Sequence, residues 1–250
     1  VKVEESVKLP EKYFKNNTEN SKILFDICIK NNLYNIIFSS TAAIYGNGEK
    51  NLISENSKIK PTNPYGESKY KIEKYLIELK DKINFIILRY FNVAGSDPQL
   101  RSGLISKEPT HLIKVASEAA VGKRKKVIIH GNDYKTNDGT AVRDYIHISD
   151  LADVHIKVLD FLLKTKQSKI FNCGYGKGYS VKEVIDTANK ITDNLIKYKY
   201  GNKRKGDAAI VVSDISKLLN FIDWQPKYND LNFIIKTAIN WETKLDAKNK

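Results

Sequence analysis

Tyr65 and Lys69 stand four residues apart in Pro64-Tyr65-Gly66-Glu67-Ser68-Lys69, at the head of a run with helical character that reaches Lys80. Side chains at i and i+4 share one helix face, one turn apart. A phenol ordinarily loses its proton near a pH of about 10. A neighbouring ammonium favours the phenolate and lowers that value, so such a pair can supply a base near neutral pH. Upstream, Ser39, Ser40 and Thr41 close the apolar run Tyr34-Asn35-Ile36-Ile37-Phe38, which reads as a buried strand. Hydroxyls at the carboxyl end of a parallel strand face the crevice in which open α/β sheets bind ligands. On a chain this rich in lysine a lone Tyr-x-x-x-Lys is more often a solvated helix face, so its surroundings decide.

The elements around these groups alternate. Pro10 to Asn31 reads as one helix with proline in its first turn, followed by the strand over 34–40 and a polar loop from Gly46 to Asn63. The helix bearing Tyr65 leads to a second apolar strand, Asn84 to Phe91. Strand, helix and strand in this order predict a parallel crossover and an α/β fold. Beyond Asn92 the pattern predicts a helix over 110–121, a short strand over 126–130, a polar loop over 131–142 leading into 143–148, a helix over 149–164 and a strand over 169–173. Strands near 196–200 and 209–212 and two further helices complete it, the last over about 230–244 with Leu231, Ile234, Ile235, Ala238, Ile239 and Trp241 as a core face.

Gly174-Tyr175-Gly176-Lys177-Gly178 follows a strand and precedes a helix, as a dinucleotide phosphate loop does. It lacks the closing glycine, and no acidic residue ends a following strand at the required distance. Ser180 and Glu183 instead have the spacing of a capping box, so the segment reads as a tight turn.

Composition removes several classes. The 250 residues can bury a sizeable core, and no apolar run is long enough to span a membrane. The net charge of +13 comes from 37 Lys and 5 Arg scattered along the chain. No arginine stripe with interleaved aromatics is present, so nucleic acid is not an expected partner, although a positive field attracts anionic substrates. Cys28 and Cys173 sit in apolar runs and read as buried thiols in a reducing compartment. Neither end carries a signal-peptide or lipid-anchor pattern, and the expectation is a cytoplasmic protein without a membrane partner. His111, His130, His147 and His155 lack the paired spacing of zinc ligands, so no metal is expected. The chain has no methionine, even at position 1, and is expected to be the remainder of something longer.

The hydroxyl, tyrosine and lysine resemble the catalytic set of the short-chain dehydrogenase/reductase superfamily, in its extended, sugar-nucleotide branch. Four further segments narrow this: Leu88-Arg89-Tyr90-Phe91-Asn92-Val93-Ala94-Gly95; Gly131-Asn132-Asp133-Tyr134; Asp138 through His147; and Lys203-Arg204-Lys205-Gly206-Asp207. In this order and spacing the chain, from Glu5 to about Trp241, resembles the UDP-glucose 4-epimerase family. The resemblance implies a Rossmann-like, doubly wound parallel sheet with a smaller α/β substrate-binding domain. Residues 1–92, with a return at about 144–173, would be the remainder of the NAD-binding domain, and 93–250 mainly the UDP-sugar-binding domain. It further implies that roughly ninety residues carrying the first strands and the glycine-rich phosphate turn precede Val1, so cofactor binding belongs to the complete protein.

Roles follow by position. The resemblance implies that Tyr65 takes the proton of the sugar 4-hydroxyl. Lys69 would bind the nicotinamide ribose and lower the tyrosine pKa, and Thr41 would bond the 4-oxygen. Asn16 and Phe91 match cofactor contacts. Asn92, His111 and Leu112 match positions near the UDP phosphates and sugar, with His111 replacing the usual asparagine. Ile128 to His130 match the edge beside uracil. Arg143 and Arg204 match a diphosphate clamp, Asp207 a ribose contact, and Val211 the residue that gates sugar size. The implied activity is NAD-dependent interconversion of UDP-glucose and UDP-galactose by a homodimer, with Val211 leaving room for N-acetylated sugars. Related 4,6-dehydratases carry an Asp-Glu pair directly after the threonine. Here Ala42 and Ala43 stand there and cannot move those protons. A non-catalytic, NAD-sensing protein is the alternative of a different class, and the intact Tyr65, Lys69 and Thr41 argue against it.

Overall fold

A computed structural model describes residues 3–47, 52–204 and 206–247. Positions 48–51 of the expected polar loop and Lys205 of the basic segment lie outside the described residues. In chain order the elements begin with helices α1 (Val3–Lys8) and α2 (Pro10–Phe14), a π-helical turn (Lys15–Glu19) and α3 (Asn20–Lys30). Strand β1 (Asn35–Thr41), a 3-10 turn (Ala42–Tyr45), α4 (Pro64–Glu78) and β2 (Asn84–Tyr90) follow. Then come β3 (Asn92–Ala94), α5 (Leu112–Ala120), β4 (Val127–His130), β5 (Val142–His147), α6 (Ile148–Thr165), β6 (Lys169–Cys173) and β7 (Gly178–Ser180). The chain closes with α7 (Val181–Ile191), β8 (Tyr198–Gly201), β9 (Ile210–Val211), α8 (Ser216–Phe221) and α9 (Leu231–Ala247).

Two compact units form. The first takes Val1–Phe91, Asp153–Cys173 and Ser213–Trp224; the second takes Asn92–Ala152, Gly174–Val212 and Gln225–Lys250. In the first unit β1, β2 and β6 make a parallel sheet in the order β1-β2-β6. Strand β2 is buried along its whole interior, as a central parallel strand covered on both faces requires. Phe25 from α3 and Ile72 and Leu76 from α4 pack with Ile36, Phe38, Phe85 and Ile87 of the strands. This parallel architecture agrees with the Rossmann-like expectation.

The helix expected from Pro10 to Asn31 is interrupted at the π-helical turn. Thr18 Oγ1 donates to the Ser68 carbonyl at 3.0 Å and Asn17 Nδ2 to Ser68 Oγ at 3.1 Å. These bonds tie the π-helical turn to α4, and such turns occur often at functional sites. No periodicity in the sequence reports them.

In the second unit β5 pairs with β3 and β9 in parallel and with β7 antiparallel, while β4 pairs with β8 in parallel. Helices α5, α7 and α9 bury Ile113, Ala116, Val184, Ile185, Ile234 and Ile235 in one core. The capping box of α7 is present, with Glu183 N bonding Ser180 Oγ at 2.9 Å and Ser180 N bonding Glu183 Oε2 at 2.6 Å. Strands β3 and β7 are three residues each, too short for a period of two to announce them.

Candidate active site

Thr41 is the last residue of β1, and its side chain caps the 3-10 turn by accepting from Ala43 N at 3.1 Å. That bond uses an acceptor lone pair and leaves the hydroxyl proton for another partner. Tyr65 lies near enough for the Thr41 hydroxyl to pull its phenol pKa down. Tyr65 is placed by the start of α4, where Asn63 caps the helix through Gly66 N at 2.9 Å and Pro64 occupies the first turn. Gly66 permits the approach: a Cβ there would stand 2.6 Å from the Ala43 carbonyl oxygen. The helix start and the turn after Thr41 therefore touch backbone to backbone, which brings the two hydroxyls together.

Lys69 lies one turn further along α4. Its Nζ donates to the Ser39 carbonyl at 3.0 Å and sits 4.8 Å from the centre of the Phe38 ring. Burial lowers its pKa. Burial also raises that of Tyr65, and the Thr41 hydroxyl pulls the phenol back down. Desolvation of the phenolate is the largest effect on Tyr65.

Asn16 lies in the π-helical turn and donates to Asn17 Oδ1 at 3.1 Å. Phe91 follows β2 directly, is buried, and donates its N–H to the Cys173 carbonyl at 3.0 Å. Tyr90, in register with Thr41, was not singled out by sequence reasoning. Its hydroxyl meets Ser39 Oγ at 2.7 Å and His155 Nε2 at 2.5 Å. Its place at the carboxyl end of a central parallel strand was the available signal.

The second unit gathers the other expected residues. Arg143 in β5 directs Nη2 to Asp207 Oδ1 at 2.5 Å and Nη1 to the Val142 carbonyl at 2.7 Å. Tyr134 OH stands 3.5 Å from Asp207 Oδ2. Val211 of β9 pairs with Arg143 in the ladder. Arg204 is exposed in the loop that follows β8. Ile128 and His130 occupy β4, alongside Lys199 and Gly201 of β8, and His130 Nδ1 is 3.3 Å from the Asn202 carbonyl. Asn92 opens β3 opposite Tyr145. His111 caps the start of α5 without a side-chain bond, and Leu112 is its first residue.

The glycine-rich segment after β6 is a turn. Its backbone N–H groups at Tyr175 and Gly176 donate to the buried Asp144 carboxylate at 2.9 and 3.0 Å. An internal anion thus fills the cradle that a pyrophosphate would need. Among the described residues no group of three or more His, Cys, Asp or Glu side chains could hold a metal, and no helix is long and apolar enough to cross a membrane.

The NAD dependent epimerase/dehydratase family model matches residues 2–174. The UDP-glucose 4-epimerase of Azospirillum brasilense is 42% identical over 246 residues, covering 98% of this chain and 71% of that protein. A UDP-glucose-4-epimerase from Stenotrophomonas maltophila, solved with bound NAD and formylated UDP-arabinopyranose, superposes with a TM-score of 0.95 at 31% identity, over 99% of this chain and 75% of that one. The UDP-Glc/GlcNAc 4-epimerase of Campylobacter jejuni gives a TM-score of 0.82 at 44% identity, over 98% and 75%. A tyrosine set close to a threonine beside a half-buried lysine, on a parallel sheet that these relatives share over almost the whole chain, leaves one assignment: the chain belongs to the NAD dependent epimerase/dehydratase family, among the UDP-glucose 4-epimerases.

Proposed function

We infer that this chain carries the catalytic and sugar-nucleotide residues of an NAD-dependent enzyme that interconverts UDP-glucose and UDP-galactose at sugar C4. The observation that carries this is the close approach of the Gly66 end of α4 to Ala43, which sets Tyr65 near Thr41 and beside Lys69 at the carboxyl end of β1. NAD, when bound, supplies a reversible hydride acceptor and donor at C4, giving and consuming a 4-keto sugar.

The first unit suits the nicotinamide end of that cofactor. Lys69 commits one of its three protons to the Ser39 carbonyl, so it has donors left for the ribose hydroxyls. Phe91 and Asn16 would border the same cofactor. Tyr65 accepts the 4-hydroxyl proton and returns it after the sugar has presented its other face. Thr41 bonds the 4-oxygen and holds the phenol in line. Because the hydride removed from C4 is given back to C4, and the proton to its oxygen, no net oxidant is needed.

In the second unit Arg143 and Arg204 would grip the diphosphate, Asp207 the ribose, Ile128 and His130 the uracil, and Asn92, His111 and Leu112 the phosphates and sugar. Asp207 already holds Arg143 in place, so the guanidinium meets an incoming diphosphate with its geometry set. Arg143→Lys keeps the charge and loses the bidentate fork. It should raise the KM for UDP-galactose about tenfold or more with little change in kcat, as loss of uniform binding does. A fall in kcat with KM unchanged would place Arg143 elsewhere.

Val211, in register with Arg143 on the neighbouring strand, is smaller than a tyrosine ring at the same position would be. The expected result is turnover of UDP-GlcNAc as well as UDP-glucose, with Val211→Tyr lowering the former about tenfold or more while sparing the latter. Measured epimerisation rates on both sugars decide it, and no turnover of UDP-GlcNAc by the unaltered protein rejects it. A homodimer is supported by the exposed apolar side chains Ile23, Leu24 and Ile27 of α3, which sedimentation would test against a monomer. The function itself is tested by assaying the complete protein with UDP-galactose and no added NAD. Formation of UDP-glucose supports it; failure with NAD supplied as well would leave a binding protein of the same fold.

A further inference from the structure

A charged network unused by the reaction lies beneath the catalytic face of the first unit. Glu73 is on α4, four residues beyond Lys69 and eight beyond Tyr65, on the same face of the helix. It is fully buried, as are Arg89 and Ser40 to within 3%. The Glu73 carboxylate receives Arg89 through Nη2 at 2.6 Å and Nε at 3.1 and 3.2 Å. Its Oε1 also accepts Ser40 Oγ at 2.5 Å. On the other side Arg89 Nη1 donates to Tyr45 OH at 2.7 Å, and Tyr45 OH donates to Asn172 Oδ1 at 2.8 Å.

Ser40 immediately precedes Thr41, and Tyr45 ends the 3-10 turn that follows it. The pair therefore grips the chain on both sides of Thr41, while its carboxylate belongs to the helix that carries Tyr65 and Lys69. Burying two charges is justified on stability grounds only when every lone pair and proton is satisfied, and apolar residues of similar volume often serve as well. What apolar residues could not do is bond Ser40 and Tyr45. Small displacements at a reacting centre are costly, about a hundredfold for 1 Å.

We propose that the buried Glu73–Arg89 pair is a positioning device that sets Thr41 against Tyr65, acting through Ser40 on one side and Tyr45 on the other. None of the four touches the substrate. Ser40→Ala and Tyr45→Phe each remove one grip and leave the ion pair in place. The proposal rests on the roles given to Thr41 and Tyr65 above.

The test uses the complete protein with its cofactor. Ser40→Ala and Tyr45→Phe should each lower kcat about tenfold while the KM for UDP-galactose stays within about twofold. A displaced Thr41 hydroxyl should also move the tyrosinate titration of Tyr65 to higher pH, read by ultraviolet difference absorbance against the Tyr65→Phe protein. Ile72→Val, a core truncation one residue from Glu73, should lower the melting temperature without either change. Unchanged kcat and titration in both grip variants overturns the proposal, whatever their melting temperatures. So does a matching loss in Ile72→Val, which would make the effect one of general loosening. Full activity in Tyr65→Phe would instead remove the underlying assignment, so the two failures are told apart.

Discussion

Tyr65→Phe is expected to lower kcat by about three orders of magnitude, the middle of the range for loss of a general acid–base group. The substitution keeps the ring and deletes only the hydroxyl, so the packing at the head of α4 is preserved. KM for UDP-galactose should change little, because the affinity assigned to the second unit does not involve the phenol. The unaltered protein should show kcat rising with pH. Tyr65 must be deprotonated to act, burial holds its pKa up, and Thr41 draws it part of the way back. The sign follows from the active form being the base: a raised value moves the rising limb to higher pH. Tyr65→Phe should lack that limb. A loss below about tenfold, or an unaltered limb, would mean that another group moves the proton.

Arg89→Met is expected to cost about 3–5 kcal/mol of stability, because it strands the Glu73 carboxylate in a fully buried site. In the intact protein burial works against the Arg89 charge, and the bonds to Glu73 and Tyr45 outweigh it, so the guanidinium is held charged. Burial pushes the Tyr45 phenol up to about 12 against the pull of Arg89, so Tyr45 stays neutral and serves as a hydrogen-bond link. Combining Glu73→Leu with Arg89→Met removes both charges and should recover most of the loss. Denaturant unfolding of the single and double variants measures this. A double variant as unstable as the single one would show that the bonds to Ser40 and Tyr45, rather than the stranded charge, carry the stability.

How much was readable differs from residue to residue. The capping box at Ser180 and Glu183 and the core face of α9 were legible because each is a local pattern of known spacing. The glycine-rich segment was readable as a turn for the same reason. That its amides serve Asp144 was not, because that carboxylate lies some thirty residues away in sequence. The helix expected over 10–31 was misread at the π-helical turn, whose Asn17 and Thr18 answer to Ser68, fifty residues on.

Tyr65 and Lys69 on one helix turn, Thr41 at a strand end and arginines at 143 and 204 were fixed by residue type and order alone. Spacing along a helix or strand is a property of the local backbone. Which partner each group has was decided only by the folded chain. Lys69 is directed to the Ser39 carbonyl, Thr41 is set near Tyr65, and Arg143 is directed to Asp207. Burial, set by residues distant in sequence, raises the pKa of Tyr65. Desolvation depends on everything packed around a group, and no short stretch of sequence contains that information.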